Sequence, residues 1–403
     1  MTKVQPKRVL FVDDEPPVLS LLQSLLRHAN AGCEAAFADR AAKGLKLLEE
    51  QPFDVVISDM RMPEMTGVEF LEKVRDQYPR VSRVILSGYA DQPSSLRSLT
   101  SVHQFLAKPF TLATLQNILG RLFSLDQYVA DPQWQAVLGA IHILPTPQSL
   151  QDQLDRELMS SALTGERLGG ILAQDVALTA KVLQIVNSAF FGAARPITLA
   201  KEGAQSLGVN LVRTLATTRL LTLPSAEPAP GGLSLEHLCQ HGVNTGLYAT
   251  RILSAERVLP DMVKAAFTGG VLHDVGKLVL ATLYPAQYAQ VVESVRQRSL
   301  PSWQAEQEVF GIDHAQVGAY LVALWGLPQT VVDAVAWHHA PSRQARTEFL
   351  AATTAVHVAN ALLHQPAGVG LTLATPGLDL AHLEAAGVKE QRLSALAQAC
   401  ARV

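Results

Sequence analysis

The stretch Phe53–Gly67, FDVVISDMRMPEMTG, decides how the first part of the chain is read. Its apolar run, Phe53–Ser58, is short and rich in β-branched residues, and an acid and then Pro63 and Gly67 close it off. A strand buried on both faces of a parallel sheet has this character. Arg8–Val12 (RVLFV), Arg83–Ser87 (RVILS) and Val102–Leu106 (VHQFL) share it, and Glu34–Ala38 does so more weakly. Helical periodicity fills the gaps at Val18–His28, Ala41–Glu50, Val68–Tyr78, roughly Ser94–Thr100, and Thr111–Phe123. Pro16 and Pro17 favour a start for the first helix, and Asp39 can cap the second. Five alternations of strand and helix predict an α/β domain over residues 1–123, with a doubly wound five-stranded parallel sheet.

Ligands of such sheets sit at the carboxyl ends of the strands. Strand one ends in Asp13-Asp14, strand three in Asp59, strand four in Ser87, and strand five in Lys108-Pro109. Three carboxylates at adjacent strand ends repel unless a divalent cation sits among them, and hard oxygen ligands suit Mg²⁺. Lys108 adds an ammonium and Ser87 a hydroxyl donor. The set forms a pocket for a dianionic group in which one carboxylate can act as nucleophile.

The strand signal disappears after Phe123. Residues 124–133 (SLDQYVADPQ) read as a polar linker able to form helix, 134–364 as an all-α domain, and 365–403 as a helical C-terminal extension. Breaks fall at Leu144–Pro147 (LPTP), Leu223–Gly232 (LPSAEPAPGG) and Gln365–Gly377. Of the 12 histidines, His237, His241, His273, His314, His338, His339, His357 and His364 lie in this half. His241, His273, His314, His338 and His339 occur in CQHGVNTGLYA, VLHDVGKLVL, DHAQVGAYL and AVAWHHA. Neutral imidazoles from neighbouring helices around a vicinal His-Asp pair suit a transition metal, and a carboxylate bridging two metals would activate water for phosphodiester hydrolysis.

Composition bounds the function classes. Lys+Arg 33 against Asp+Glu 36 gives a net charge of −3, so broad electrostatic binding to nucleic acid is not expected. No apolar run approaches the ~20 residues of a membrane span. The first residues turn acidic at FVDDE, where a signal peptide would be apolar. Cys33, Cys239 and Cys400 are odd in number and widely spaced, which suits a reducing cytoplasm. A soluble cytoplasmic protein is expected, and a homodimer is compatible with that expectation.

Residues 8–123 resemble a response-regulator receiver domain (CheY-like, flavodoxin-like) through FVDDEP, VVISDMRMPEMTG, LSGYAD and FLAKPF. The resemblance implies that Asp59 accepts a phosphoryl group from a cognate histidine kinase. It implies that Asp13, Asp14, Asp59 and the backbone carbonyl of Arg61 hold Mg²⁺, and that Ser87 and Lys108 contact the phosphoryl oxygens. Phe105 stands at the family's rotating aromatic, and Lys108 precedes what is usually a cis-proline.

Residues Leu144–Leu362 resemble the HD superfamily, and within it the HDOD (HD-related output) domain. The marks are LPTP, DVALTAKVLQIVNSAFFG, SLGVNLVR, GGVLHDVGKL, EVFGIDHAQVGAYLVALWGLP and the His338-His339 pair. Against the catalytic HD-GYP relatives that hydrolyse cyclic di-GMP, the resemblance aligns His241, His273, Asp274, His314, His338 and His339 with metal positions. Lys277 matches the lysine after the HD pair. Two departures stand out: HHAPSRQARTEF carries no Gly-Tyr-Pro, and AVHVANAL places His357 where a late metal-binding acid would stand. The implied output is a non-catalytic module acting through an unknown downstream protein, with a vestigial HD site. The alternative is a receiver-controlled, metal-dependent HD-type phosphohydrolase or cyclic di-GMP phosphodiesterase. Direct DNA binding is not expected, because Lys181 is the sole basic residue of VALTAKVLQIVNSAFFG.

Overall fold

Strand β1 (Lys7–Val12) lies between β2 (Cys33–Ala38) and β3 (Val55–Asp59), and β4 (Ser82–Ser87) and β5 (Gln104–Ala107) complete a sheet of order β2-β1-β3-β4-β5. In this computed structural model, residues 6–29, 33–88, 99–160, 162–188, 195–225, 230–256, 258–344, 351–365, 377–385, 391–393 and 395 are described. All strand pairs are parallel, with Val9 opposite Val55, Val55 opposite Ser82, and Val84 opposite Gln104. Val9–Val12, Val55–Ile57 and Val84–Leu86 are buried, as central strands covered on both faces must be. Helices α1 (Pro16–Ala29), α2 (Ala41–Glu50) and α3 (Gly67–Gln77) make the first three crossovers, and α4 (Leu112–Phe123) follows the last strand.

The element boundaries depart from the sequence reading by one or two residues, apart from two points. Asp39 does not cap α2: the N-cap is Arg40, without a side-chain cap bond, and Asp39 pairs instead with Arg40 and Lys43. Its carboxylate stands one residue too early to reach the first amides of the helix. Helix α3 carries the capping the sequence analysis did not name, a Thr66–Glu69 capping box. Most of the helix expected at 94–100 lies outside the described residues.

Residues Ser124–Gln127 form one 3₁₀ turn, and α5 (Pro132–Gly139) follows, capped by Asp131 with Pro132 at its first position. By compactness the chain divides into Met1–His142, with Gln184–Arg195 and Ala323–Gly326, and a second unit made of the remainder.

The second unit is mostly helical. Its long helix Leu235–Ala255 packs on Pro260–Leu272 and Ala352–Leu363, and Gln329–Trp337 packs on the latter two. One short ladder stands beside the helices: Pro145–Pro147 pairs in parallel with Leu223–Ser225. Both segments had been read as breaks because of their prolines, yet proline favours extended backbone and is tolerated on an edge strand. Among the described residues no helix is long and apolar enough to cross a membrane.

Candidate functional site

Two constellations stand out, one in each unit. At the carboxyl edge of the five-stranded sheet, Asp13 follows β1, Asp59 ends β3, Ser87 ends β4 and Lys108 follows β5. The Lys108 ammonium donates to Asp13 Oδ2 (2.8 Å) and to Asp59 Oδ1. The backbone N–H of Arg61 donates to Asp59 Oδ2 (2.7 Å), and that of Glu15 to Asp13 Oδ1 (2.9 Å). Both carboxylates are thereby oriented before any ligand arrives. Burial works to lower the Lys108 pKa, but the Asp13 and Asp59 carboxylates outweigh it and hold the ammonium above its ordinary value. Asp14 is half-buried beside Asp13. The Ser87 hydroxyl is buried without a hydrogen-bond partner among the described residues, a costly arrangement unless an incoming group uses it. Phe105, second in β5, is buried, and the Lys108–Pro109 peptide is cis.

The second constellation collects side chains from separate helices. His273 and Asp274 sit at the junction of Pro260–Leu272 and Val275–Leu283, His314 opens His314–Leu324, and His338 and His339 follow Gln329–Trp337. Gly276 permits this assembly, because a Cβ there would come within 2.0 Å of the His314 carbonyl oxygen. His273 Nδ1 donates to the Gly270 carbonyl (2.7 Å) and His338 Nδ1 to the Val335 carbonyl (2.8 Å). These bonds fix the tautomer and leave both Nε2 lone pairs facing inward.

Ligand-capable atoms fall into two close triads, His314/His338/His339 and His241/His273/Asp274. His314 Nε2 lies 2.9 Å from His339 Nε2 and 3.3 Å from His338 Nε2, spacings that require a shared proton. His314 supplies it. Burial alone would lower its pKa, but Glu306 accepts from His314 Nδ1 (2.6 Å) and raises it to about 9. Burial drives His273 down to about 3 and holds His338 and His339 well below the usual range, so these three are neutral. Burial would raise Asp274, yet the Lys277 and His314 cations keep it well below the carboxylate range, and Lys277 donates to it at 2.7 Å. Asp274 Oδ1 is 3.1 Å from His314 Nε2, an ion-pair distance without hydrogen-bond alignment.

The response regulator receiver domain family matches residues 9–120, and the HDOD domain family matches residues 144–341. The chain carries a response regulator receiver domain followed by an HDOD domain. An uncharacterized protein of Treponema pallidum (strain Nichols) is 26% identical over 208 residues, 51% of this chain and 39% of that protein. The hydrogenase transcriptional regulatory protein HoxA of Cupriavidus necator is 36% identical over 104 residues, 25% of this chain and 21% of its own. The MmoQ response regulator of Methylococcus capsulatus is 23% identical, covers 63% of this chain and 98% of its own, and superposes with a TM-score of 0.48. The chain thus spans well under half the length of these two curated relatives.

Within the receiver the structure brings Asp13, Asp59 and Lys108 into direct contact, and Arg61 bonds Asp59 through its backbone N–H. Within the HDOD domain it brings the six expected residues together and leaves His357 out. His357 Nδ1 donates to the His338 carbonyl (2.7 Å), and its Nε2 accepts from the Asp379 N–H (2.9 Å). The side chain of Ala352–Leu363 that reaches the cluster is Asn360, whose Oδ1 meets His241 Nε2 at 3.0 Å. The position expected of a late acid is therefore served by a neutral amide one helical turn farther on. Glu306 also escaped the sequence reading. Its signal was an acid eight residues before His314 in a helix with a buried face.

Proposed function

We propose that the protein is a phosphorylation switch in which a histidine kinase phosphorylates Asp59 and the HDOD domain passes the receiver's state to a protein partner without catalysis. The observation that carries the receiver half is the Asp13–Lys108–Asp59 contact beside the orphaned Ser87 hydroxyl. In the transfer, an Asp59 carboxylate oxygen attacks the phosphorus of a phosphohistidine. An O–P bond forms as the N–P bond breaks, and the imidazole leaves with the electron pair and takes up a proton. The Arg61 N–H holds the second carboxylate oxygen in place. Lys108 and Ser87 then donate to the phosphoryl oxygens, and Phe105 rotates as Ser87 is drawn inward. Asp13, Asp14, Asp59 and the Arg61 carbonyl are hard oxygen donors that fit Mg²⁺, and this ion, when bound, supplies neutralisation of phosphoryl charge. The test is labelling with a small phosphodonor and Mg²⁺. One acid-labile phosphate should appear, and Asp59→Asn should remove it.

For the HDOD half, a second reading is favoured by a specific observation: His273 Nε2 and Asp274 Oδ1 are buried without hydrogen-bond partners among the described residues. His273, Asp274, His314 and His338 would hold one transition-metal ion, which when bound would acidify a water molecule. A two-metal centre fits poorly, because Asp274 is the one carboxylate of the six and Glu306 is committed to His314. Metal analysis of protein purified without chelators separates the readings. One or two equivalents of Fe, Mn or Zn would favour the phosphohydrolase, and none the signalling module. A cytoplasmic location and a downstream protein partner belong to the same proposal.

A further inference from the structure

The two strands that carry the switch residues begin, at their other ends, in a buried cation–imidazole pair. Arg83 is second in β4, whose last residue is Ser87, and His103 immediately precedes β5, whose second residue is Phe105. Arg83 and His103 are 1% and 2% exposed. The Arg83 backbone N–H donates to His103 Nδ1 (3.0 Å), so the imidazole proton sits on Nε2, which donates to the Gly139 carbonyl (2.9 Å). The guanidinium donates to the same Gly139 oxygen (2.7 Å) and to the carbonyls of Ser101 (2.6 Å) and Val81 (3.1 Å).

Gly139 is the last residue of α5, where helix carbonyls lack partners within the helix. Its carbonyl instead accepts two buried donors. Only glycine fits there, since a Cβ would lie 2.1 Å from the Pro79 carbonyl oxygen. The segment is anchored at its start as well: Asp126 accepts from Lys7 of β1 (2.7 Å) and from Gln135 of α5 (2.9 Å).

We infer that Arg83 and His103 clamp the end of α5 to the switch strands, so that the segment 124–139 is a rigid lever of the receiver that relays movement of β4 and β5 toward residue 144, and not a flexible tether. This inference rests on the phosphorylation reading for its trigger, though not for the clamp itself. A neutral chain of carbonyls would tolerate many donors, but a planar guanidinium surrounded by four of them has one geometry.

The experiment is hydrogen exchange on the full chain, with and without beryllofluoride and Mg²⁺, for wild type, Gly139→Ala and Arg83→Lys. Without beryllofluoride, both variants should exchange about ten-fold faster than wild type at 132–142, with the amides of β1 and β3 unchanged. Gly139→Ala reports the contact from the helix side should Arg83→Lys disturb the strand. With beryllofluoride, wild type should change at 82–87, 104–107 and 132–142, and Gly139→Ala at the first two alone. Unaltered exchange at 132–142 in Gly139→Ala would overturn the clamp. A wild-type response at 82–87 and 104–107 that stops short of 132–142 would overturn the lever while leaving the receiver reading intact. No response at 82–87 would overturn that reading and the lever with it.

Discussion

The receiver site and the histidine cluster are both pockets of converging ionisable groups, and they differ in what compensates the charge. In the receiver, the carboxylates of Asp13 and Asp59 share one ammonium at the sheet edge, with Asp14 half-buried next in sequence, so the site has a net demand for cations. In the HDOD domain, five imidazoles cluster about one carboxylate, and the charges of Asp274, the half-buried Lys277, His314 and Glu306 already pair with one another. The first arrangement is poised to change its charge, while the second is balanced as it stands. A pocket rich in metal-ligating residue types is therefore not equivalent to a metal centre. The count of anionic ligands decides which it is.

The sharpest way to break this comparison is at Asp59. Asp59→Asn should abolish phosphodonor labelling completely, measured as acid-labile phosphate, and labelling that survives would move the nucleophile elsewhere. Next in size is the absence of turnover. After anaerobic reconstitution with Fe²⁺ or Mn²⁺, cyclic di-GMP should not be hydrolysed faster by the wild type than by Asp274→Ala, as followed by chromatography of the product. A rate lost in both His273→Ala and Asp274→Ala would place the HDOD domain among the enzymes.

The balanced character of the cluster can be sharpened at Glu306. Glu306→Gln removes the partner of a buried imidazolium and should destabilise the protein by about 3 kcal/mol in urea unfolding, the low end for a broken buried pair because His314 can release its proton. A change near zero would mean that His314 is neutral in the native protein.

The smallest expected effect lies away from both sites. Asp175 caps the helix Val176–Val186 by accepting from the Leu178 N–H (2.6 Å), and burial raises its pKa to about 6. The native state then holds this proton more tightly than the unfolded chain does. Stability contributed by the protonated form is complete below the ordinary carboxylate pKa and falls as pH rises through about 6, by on the order of 2–3 kcal/mol. Asp175→Asn keeps the cap and should flatten the stability profile between pH 4 and 6. An unchanged slope would assign the dependence to other groups.

The receiver was legible because its chemistry is local to strand ends. Once RVLFV and FDVVIS are read as strands, the places of Asp13 and Asp59 follow from chain position alone. The histidine cluster was legible in membership, through His273-Asp274 and His338-His339, but not in its wiring. Glu306 and Asn360 are ordinary polar residues in helical segments, and only tertiary packing turns them toward His314 and His241. Asp39 and the Pro145–Pro147 pairing failed for the opposite reason, since local propensity gave an answer that neighbouring backbone overruled. Nothing local marks Arg83 as buried, because a strand-flanking arginine usually reaches solvent.

His357 bears on where the HDOD fold can be cut. Its ring bridges the His338 carbonyl to the backbone of Asp379, and Asp379 in turn accepts from the Ser342 N–H (2.8 Å) while His382 meets Thr354 at 2.7 Å. Residues 377–385 thus brace the back of the wall on which the paired histidines stand, although they lie beyond the family match that ends at 341. A recombinant fragment stopped at Leu363 would strand a buried ring nitrogen, at a cost of about 1–3 kcal/mol. The practical unit for expression and crystallisation therefore runs beyond Ala385, at least through the buried Leu393, since Arg392 also pairs with Glu256.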